Sequence, residues 1–391
     1  MQRISVTLLL LTAVLCTPAL ALEGELIFPL QEKHVHGSSI VECPNGDLLT
    51  TWFYGSGERT ANDVKIQGAR LKKGDAAWSP VYDFADTPDL PDCNPVLFID
   101  NDEKLWLLWV VVQGNRWEQS ILKYRTSTNY EGEGPPDWDW QDIILLKPGE
   151  KFATAMEAGF EALGFSEEMW AEYAKPYDQL VIEASKDRVK RDTGWMTRCR
   201  LVVLPNGRIL LPLYSDGYNT SLMGISDDGG KSWQASKPIV GLGNIQPTVT
   251  IKKDGGLVAF MRDNGRAPKR IIQATSEDEG MTWSVGKDMK LPNPGASVAA
   301  VTLSNGHWVM VYNDTQIGRH SLVASITRDE GKTWKGELVL DRAKAYEGNF
   351  GYPCVVQGKD DTLHVTYSYK SSSIGPGASI KHTSFDPAEI K

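Results

Sequence analysis

The sequence predicts an all-β chain folded as a six-bladed β-propeller, and three observations predict it. The first is a repeated turn. Ser226-Asp227-Asp228-Gly229-Gly230-Lys231-Ser232-Trp233 returns as Ser276-Glu277-Asp278-Glu279-Gly280-Met281-Thr282-Trp283, and again as Thr327-Arg328-Asp329-Glu330-Gly331-Lys332-Thr333-Trp334. The shared pattern, hydroxyl-x-Asp-x-Gly-x-hydroxyl-Trp, recurs about every 50 residues, the period of an array or propeller. The second is a set of alternating apolar runs, each broken by a tight polar turn, over residues 40–53, 96–111, 201–214, 249–261, 298–312 and 355–369. Asn45-Gly46, Asn206-Gly207, Asp254-Gly255 and Asn305-Gly306 supply the positive-φ pair that a two-residue hairpin needs. The third is that the last blade, with runs at 354–357, 363–369 and 379–385, lacks a strand that residues 25–30 can supply. Pairing the two chain ends closes the ring and removes exposed sheet edges.

Each part of the repeated turn, an Asp-box, has a physical task. The Asp bonds backbone amides of its own turn, the Gly takes a positive φ, and the Trp ring pins the turn to its neighbour. Strand parity puts these turns on the face opposite the starts of the inner strands, so their aspartates are read as structural. Residues 152–191 break the pattern. Met156, Phe160, Leu163, Met169 and Tyr173 recur at helical spacing between Glu and Lys. The segment is read as a helical insertion on a propeller loop, either a structural cap or a wall over a pocket.

The chain of 391 residues carries a formal net charge of −9, which argues against a nucleic-acid surface but leaves room for a locally basic pocket. Arg3, the apolar run 6–16 and Ala19-Leu20-Ala21 read as a secretory signal over residues 1–21. The expectation is one propeller over 22–391, secreted or periplasmic, with no other stretch apolar enough to span a membrane. Cys43, Cys93, Cys199 and Cys354 are scattered through strands without metal-ligand spacing. They are read as buried thiols, with a disulfide left open by the oxidising compartment. The sequence calls for no cofactor. Asp86, Asp89 and Asp92 form an acidic Pro-rich loop, either solvated or a holder for Ca²⁺.

Counting back from the hairpin turns gives the inner-strand starts: His36, Asn94, Arg198, Gln246, the 295–297 region and Tyr352. Counting forward gives the second-strand ends: Tyr54, Val110, Tyr214, Arg262, Asn313 and Ser368. Both sets fall at one mouth of the central channel. Asp216, Asp263, Asp314 and Arg319 follow nearby, and the first connecting loop offers Glu58, Arg59 and Asp63. Buried polar groups need partners, so this many at strand ends implies a site or a ring of ion pairs locking the blades. Arginine forks beside carboxylates and a tyrosine suit an anionic sugar.

On these residues the chain, over about 30–390, resembles the sialidase (neuraminidase) superfamily, in particular its bacterial Asp-box (BNR-repeat) branch. The resemblance implies three arginines gripping a substrate carboxylate, a Tyr–Glu nucleophile pair and an Asp acid/base. Arg262, in Phe260-Met261-Arg262-Asp263, and Arg319, in Gly318-Arg319-His320, match two of the arginines. Tyr352, in Gly351-Tyr352-Pro353, matches the nucleophile and Asp63 the acid/base. Two positions depart from the family. His36-Gly37-Ser38 replaces the first-blade Arg-Ile-Pro, and Gln246 stands where the Glu that activates the tyrosine belongs. An amide is no base for a phenol. Arg198 is the candidate replacement for the lost arginine and His36 a candidate acid/base. The expectation is an exo-acting glycan enzyme on a terminal acidic sugar, sialic or uronic, cleaving as an exo-α-sialidase does. Its candidate catalytic residues are Tyr352, His36 and Asp63. The candidate substrate contacts are Arg262, Arg319, Arg198, Gln246, Glu58, Arg59, Asp216 and Asn313. A lyase on uronate-containing polysaccharide and a non-catalytic sugar-binding propeller are the alternatives.

Overall fold

Six antiparallel sheets radiate around a central axis in the computed structural model, which describes residues 21–164 and 175–391. Blade 1 uses His34–Glu42, Leu48–Gly55, Lys65–Leu71 and Tyr82–Ala85, and blade 2 uses Asp92–Ile99, Leu105–Val112, Ser120–Ser127 and Trp140–Ile143. In blade 3 the inner strand is split into Met196–Thr197 and Val202–Val203, followed by Ile209–Ser215, Thr220–Ser226 and Gln234–Ala235. Blade 4 spans Asn244–Ile251 to Lys287–Pro292, and blade 5 spans Ala299–Thr302 to Lys335–Arg342. Blade 6 pairs Gly348–Gln357, Leu363–Ser371 and Ser379–Phe385, and Glu25–Leu26 joins as its outer strand with Glu25 opposite His382. The closure expected from the short last blade is therefore present.

The strands are apolar on both faces because each blade packs between two others. Phe53, Trp109, Leu213, Phe260, Val311 and Tyr367 are all almost fully buried. The Asp-boxes do the work read from their sequence. Asp278 accepts from Thr282 N (2.8 Å), Thr282 Oγ1 (2.6 Å) and Ser276 Oγ (2.9 Å), while Trp283 Nε1 donates to Gly280 O. The boxes at Asp228 and Asp329 repeat the three aspartate bonds, and Trp233 Nε1 donates to Gly230 O. All three follow third strands that descend from the channel mouth, so they occupy the opposite face.

The insertion is helical: α1 covers Lys151–Leu163, α2 Tyr177–Lys186 and α3 Arg188–Asp192. Phe152, Met156 and Phe160 are its buried stripe. Phe152 meets Trp195 and Tyr218 edge-on, and a side chain at Gly159 would collide with Val240. The insertion is thus clamped to the rim of blades 3 and 4. Met169 and Tyr173, and nearly all of the leader read at 1–21, lie outside the described residues. The four cysteines are buried free thiols. Among the described residues no helix is long and apolar enough to cross a membrane.

Among the described residues no group of three or more His, Cys, Asp or Glu side chains is placed to hold a metal ion, the acidic loop included. Asp92 is fully buried and accepts from Thr87 N, Thr87 Oγ1 and Trp109 Nε1. Its oxygens are occupied by blade 2 and its neighbours.

Candidate active site

The mouth of the channel is shaped by β-bulges at the starts of the inner strands. The register slips between His36 and Ser39, Cys93 and Val96, Ile245 and Thr248, and Gly351 and Cys354. At the slips the backbone turns left-handed, at Gly37 (φ 66°), Asn94 (φ 54°), Gln246 (φ 58°) and Tyr352 (φ 56°). A residue other than Gly in this region costs of order 1–3 kcal/mol and clusters at functional sites. Bulges re-aim side chains. Here they turn Asn94, Gln246 and Tyr352 into a cavity of about 310 Å³, lined also by His36, Glu58, Asp216, Arg262 and Arg319.

Tyr352 is the centre of this cavity. Its Oη accepts from Arg262 Nη1 at 2.9 Å. The guanidinium groups of Arg198 and Arg319 each lie 5.0 Å from its ring centre. Burial works to raise its pKa, but Arg262, Arg319 and a hydrogen bond from Gln246 outweigh it, so the phenol is more acidic than a free one. The His36 ring sits 4.0 Å from the Tyr352 ring, centre to centre. Burial, with Arg319, His34, Arg198 and Arg262 adding repulsion, drives His36 well below its ordinary pKa, so it is a neutral imidazole.

The two carboxylates of the cavity are pushed apart. Burial raises Asp216, only partly countered by Arg262 and Arg59. Burial also acts to raise Glu58, but the His34 hydrogen bond and the charges of His34, Arg59 and Arg319 win and lower it. Glu58 Oε1 lies 3.1 Å from His34 Nε2. Opposite shifts of this kind suit two carboxylates of one site to different roles.

Three candidates from the sequence stand elsewhere. Arg198 is 2% exposed, and its Nη1 and Nη2 donate to the carbonyls of Ser38 and Pro353. It ties blade 3 to blades 1 and 6 beside Tyr352 and, buried, does not line the cavity. Asn313 is fully buried and donates to the carbonyls of Ser321 and Phe350. Asp63 accepts from Ser56 N and Oγ and pairs with Lys33 at 2.8 Å, so it holds the first connecting loop outside the cavity. Arg59 stacks over Trp117 at 5.6 Å, at the rim. Asp263 and Asp314 are engaged as well, by Gly265 N and Arg270 N and by Arg342 respectively.

Sequence reasoning missed Trp117, Asn264 and Phe53, which line the cavity. Asn264 had a signal, since it follows the Arg262-Asp263 strand end directly; it accepts from Arg262 Nη2 at 3.2 Å. The bulges had one too, in the dipeptides Asn94-Pro95, Gln246-Pro247 and Tyr352-Pro353.

The family model described as the BNR repeat-like domain matches residues 46–191 and 184–365. The chain belongs to this BNR-repeat family. A curated relative, the anhydrosialidase of Macrobdella decora, is 28% identical over 172 residues, covering 42% of this chain and 21% of the relative. This BNR protein therefore spans about a fifth of that relative's length. Among solved structures it superimposes on a Hadza microbial sialidase with a TM-score of 0.66 at 16% identity, covering 94% of this chain and 69% of the other. A protein of unknown function from Dyadobacter fermentans gives 0.67 at 17%, covering 94% and 98%. A variant of the NanB sialidase from Streptococcus pneumoniae gives 0.67 at 12%, covering 97% and 72%. These likenesses establish a sialidase-like propeller.

Proposed function

We propose that this BNR protein is a glycoside-cleaving enzyme that removes a terminal acidic sugar, with Tyr352 as nucleophile. The observation that carries the reading is the acidified phenol of Tyr352, facing donors from Arg262 and Gln246 inside a small polar cavity. A nucleophile is activated by a lowered pKa when no carboxylate base adjoins it. Arg262 and Arg319 bind the sugar carboxylate. The Tyr352 oxygen attacks the anomeric carbon, and Asp216, held towards its protonated form by burial, gives its proton to the departing glycosidic oxygen. Water then displaces Tyr352, with Asp216 taking back a proton. The site in this reading serves a terminal sugar, because a cavity of about 310 Å³ is at the small end for ligand sites. The apolar run 6–16, read from the sequence as part of a leader, is what favours action outside the cytoplasm.

The test is substitution of Arg319 by Lys, which keeps the charge beside Tyr352 and removes the fork. The change should lower kcat/KM for acidic aryl glycosides by roughly 100-fold while lowering it much less for their methyl esters. Equal losses on both substrates would refute carboxylate binding. Release of an unsaturated uronate in place of a free sugar would instead favour β-elimination.

A further inference from the structure

We infer that the central channel below Tyr352 is a binding site for a singly charged inorganic anion such as a halide, held by Arg200. The inference is independent of the glycosidase reading, since it concerns a charge inside the fold and no sugar.

Blade 3 is where the inner strands break. Between Met196–Thr197 and Val202–Val203, residues 198–201 leave the ladder with the second strand. Their side chains reach across the axis instead. Arg198 donates to Ser38 O and Pro353 O, on the inner strands of blades 1 and 6. Cys199 Sγ lies 3.7 Å from Gln246 O and 3.4 Å from Val298 O, at the inner strands of blades 4 and 5. Arg200 comes next, and the titratable group that acts on it is the Cys354 thiol of blade 6. Burial lowers its pKa, yet part of its surface stays open. A side chain that is both deep in the molecule and partly open faces the channel.

A guanidinium keeps its charge even there. Among the described residues the Arg200 side chain has no hydrogen bond and no ion pair. The inner strands offer no free counter-charge either. Their acidic residues are Glu42 and Asp92. Glu42 accepts from Lys359 N, and Asp92 accepts from Thr87 N and Trp109 Nε1. An uncompensated charge inside a protein is strongly destabilising. A bound anion removes that cost.

The setting selects the ion. One guanidinium faces it, and the inner strands carry no lysine to add a second charge. A doubly charged oxyanion brings more charge than Arg200 cancels and costs more to strip of water. A weakly hydrated monovalent ion, chloride or bromide, meets both conditions.

The experiment uses the whole protein with bromide as the probe. Exchanging sodium fluoride for sodium bromide at constant ionic strength should raise the melting temperature by roughly 2 °C or more, because an ion bound by the folded chain alone stabilises it. General salt effects run the other way, since strongly hydrated anions favour the compact state. Arg200→Met keeps the length of the side chain and removes the charge, so its melting temperature should fall with the same exchange. Crystals soaked in bromide should show anomalous scattering from an ion within hydrogen-bond reach of the Arg200 guanidinium, a measurement that stands even where the variant does not fold. An equal rise in Arg200→Met would overturn the site, and so would soaked crystals with no bromide at Arg200. Bromide in the crystal without the rise in the unchanged protein would mean an adventitious ion only, and overturns it as well.

Discussion

Arg262 donates to the phenol oxygen of Tyr352 at 2.9 Å, across two blades whose inner strands both begin with a bulge. The bond makes the phenol oxygen an acceptor and stabilises its ionised form. Where the sialidase pattern has a Glu, this chain has Gln246, an amide that also lowers the Tyr352 pKa. Positive charge and donors stand in for a base. The neutral His36 ring adds no charge to that balance.

The acid is the first assignment to check. Asp216→Asn should cut kcat by roughly 100-fold or more on glycosides with poor leaving groups, and far less on nitrophenyl glycosides, which depart unaided. Asp63→Asn should lower thermal stability through the loop it holds and leave the leaving-group dependence unchanged. Rates on the two substrate types, measured for both variants, decide the point. A leaving-group effect in Asp63→Asn and none in Asp216→Asn would reverse the assignment.

The Asp-boxes should report stability alone. Asp278→Ala removes three hydrogen bonds at roughly 0.5–1.5 kcal/mol each, reduced by solvent exposure. Its midpoint in urea should fall while kcat per folded molecule stays near normal, because the turn is on the face away from Tyr352. A variant with an unchanged midpoint and lost turnover would break that separation.

Much of this was legible because it is periodic. Three Asp-boxes, the Asn-Gly and Asp-Gly turns and a missing strand specify blades, closure and the face of the site, since each is a local rule repeated. The register count reached Arg262, Gln246 and Tyr352 for the same reason. It misjudged Arg198 and Asn313, because facing the channel does not tell whether a side chain ends in solvent or on a carbonyl of the neighbouring blade. Asp63 and Glu58 lie five positions apart in one loop, and loop conformation, which has no period, decides which reaches the cavity.

Closure of the ring should weaken in acid. Glu25, on the strand that completes blade 6, accepts from His382 Nδ1 at 3.2 Å and Trp78 Nε1 at 2.9 Å. The His382 hydrogen bond is the main reason its carboxyl is held below the usual range. Burial, helped by His382, pushes His364 down to about 4. Both groups have folded pKa values below their unfolded ones, so the unfolded chain binds more protons and stability is lost as pH falls. For His364 the loss runs from its unfolded value near 6.5 down through about 4. Glu25→Gln should lower stability at neutral pH by on the order of 1 kcal/mol, allowing for the solvent screening of a half-exposed carboxyl, and flatten the fall at acid pH. Melting temperatures of the two proteins across the acid range check this, and an unchanged profile would remove Glu25 from the closure.

Gln246 offers the most direct test of how Tyr352 is activated. The amide is 2% exposed and lies against both Tyr352 and Tyr214. Gln246→Glu replaces a donor by an anion of nearly the same shape. Negative charge beside a phenol disfavours its ionised form, so the Tyr352 pKa should rise. Because the reading needs the ionised oxygen, activity climbs with pH through that pKa, and the climb should move to higher pH in the variant. At neutral pH kcat should fall by roughly tenfold for every whole pH step by which the climb moves. The opposite outcome is equally specific. A higher kcat with an unmoved profile would mean that Tyr352 lacks a base and that the new carboxylate supplies it, so that donors from Arg262 and Gln246 do not suffice. Trapping with a fluorinated acidic glycoside, followed by mass spectrometry, separates the two by comparing how fast the Tyr352 adduct forms in each protein.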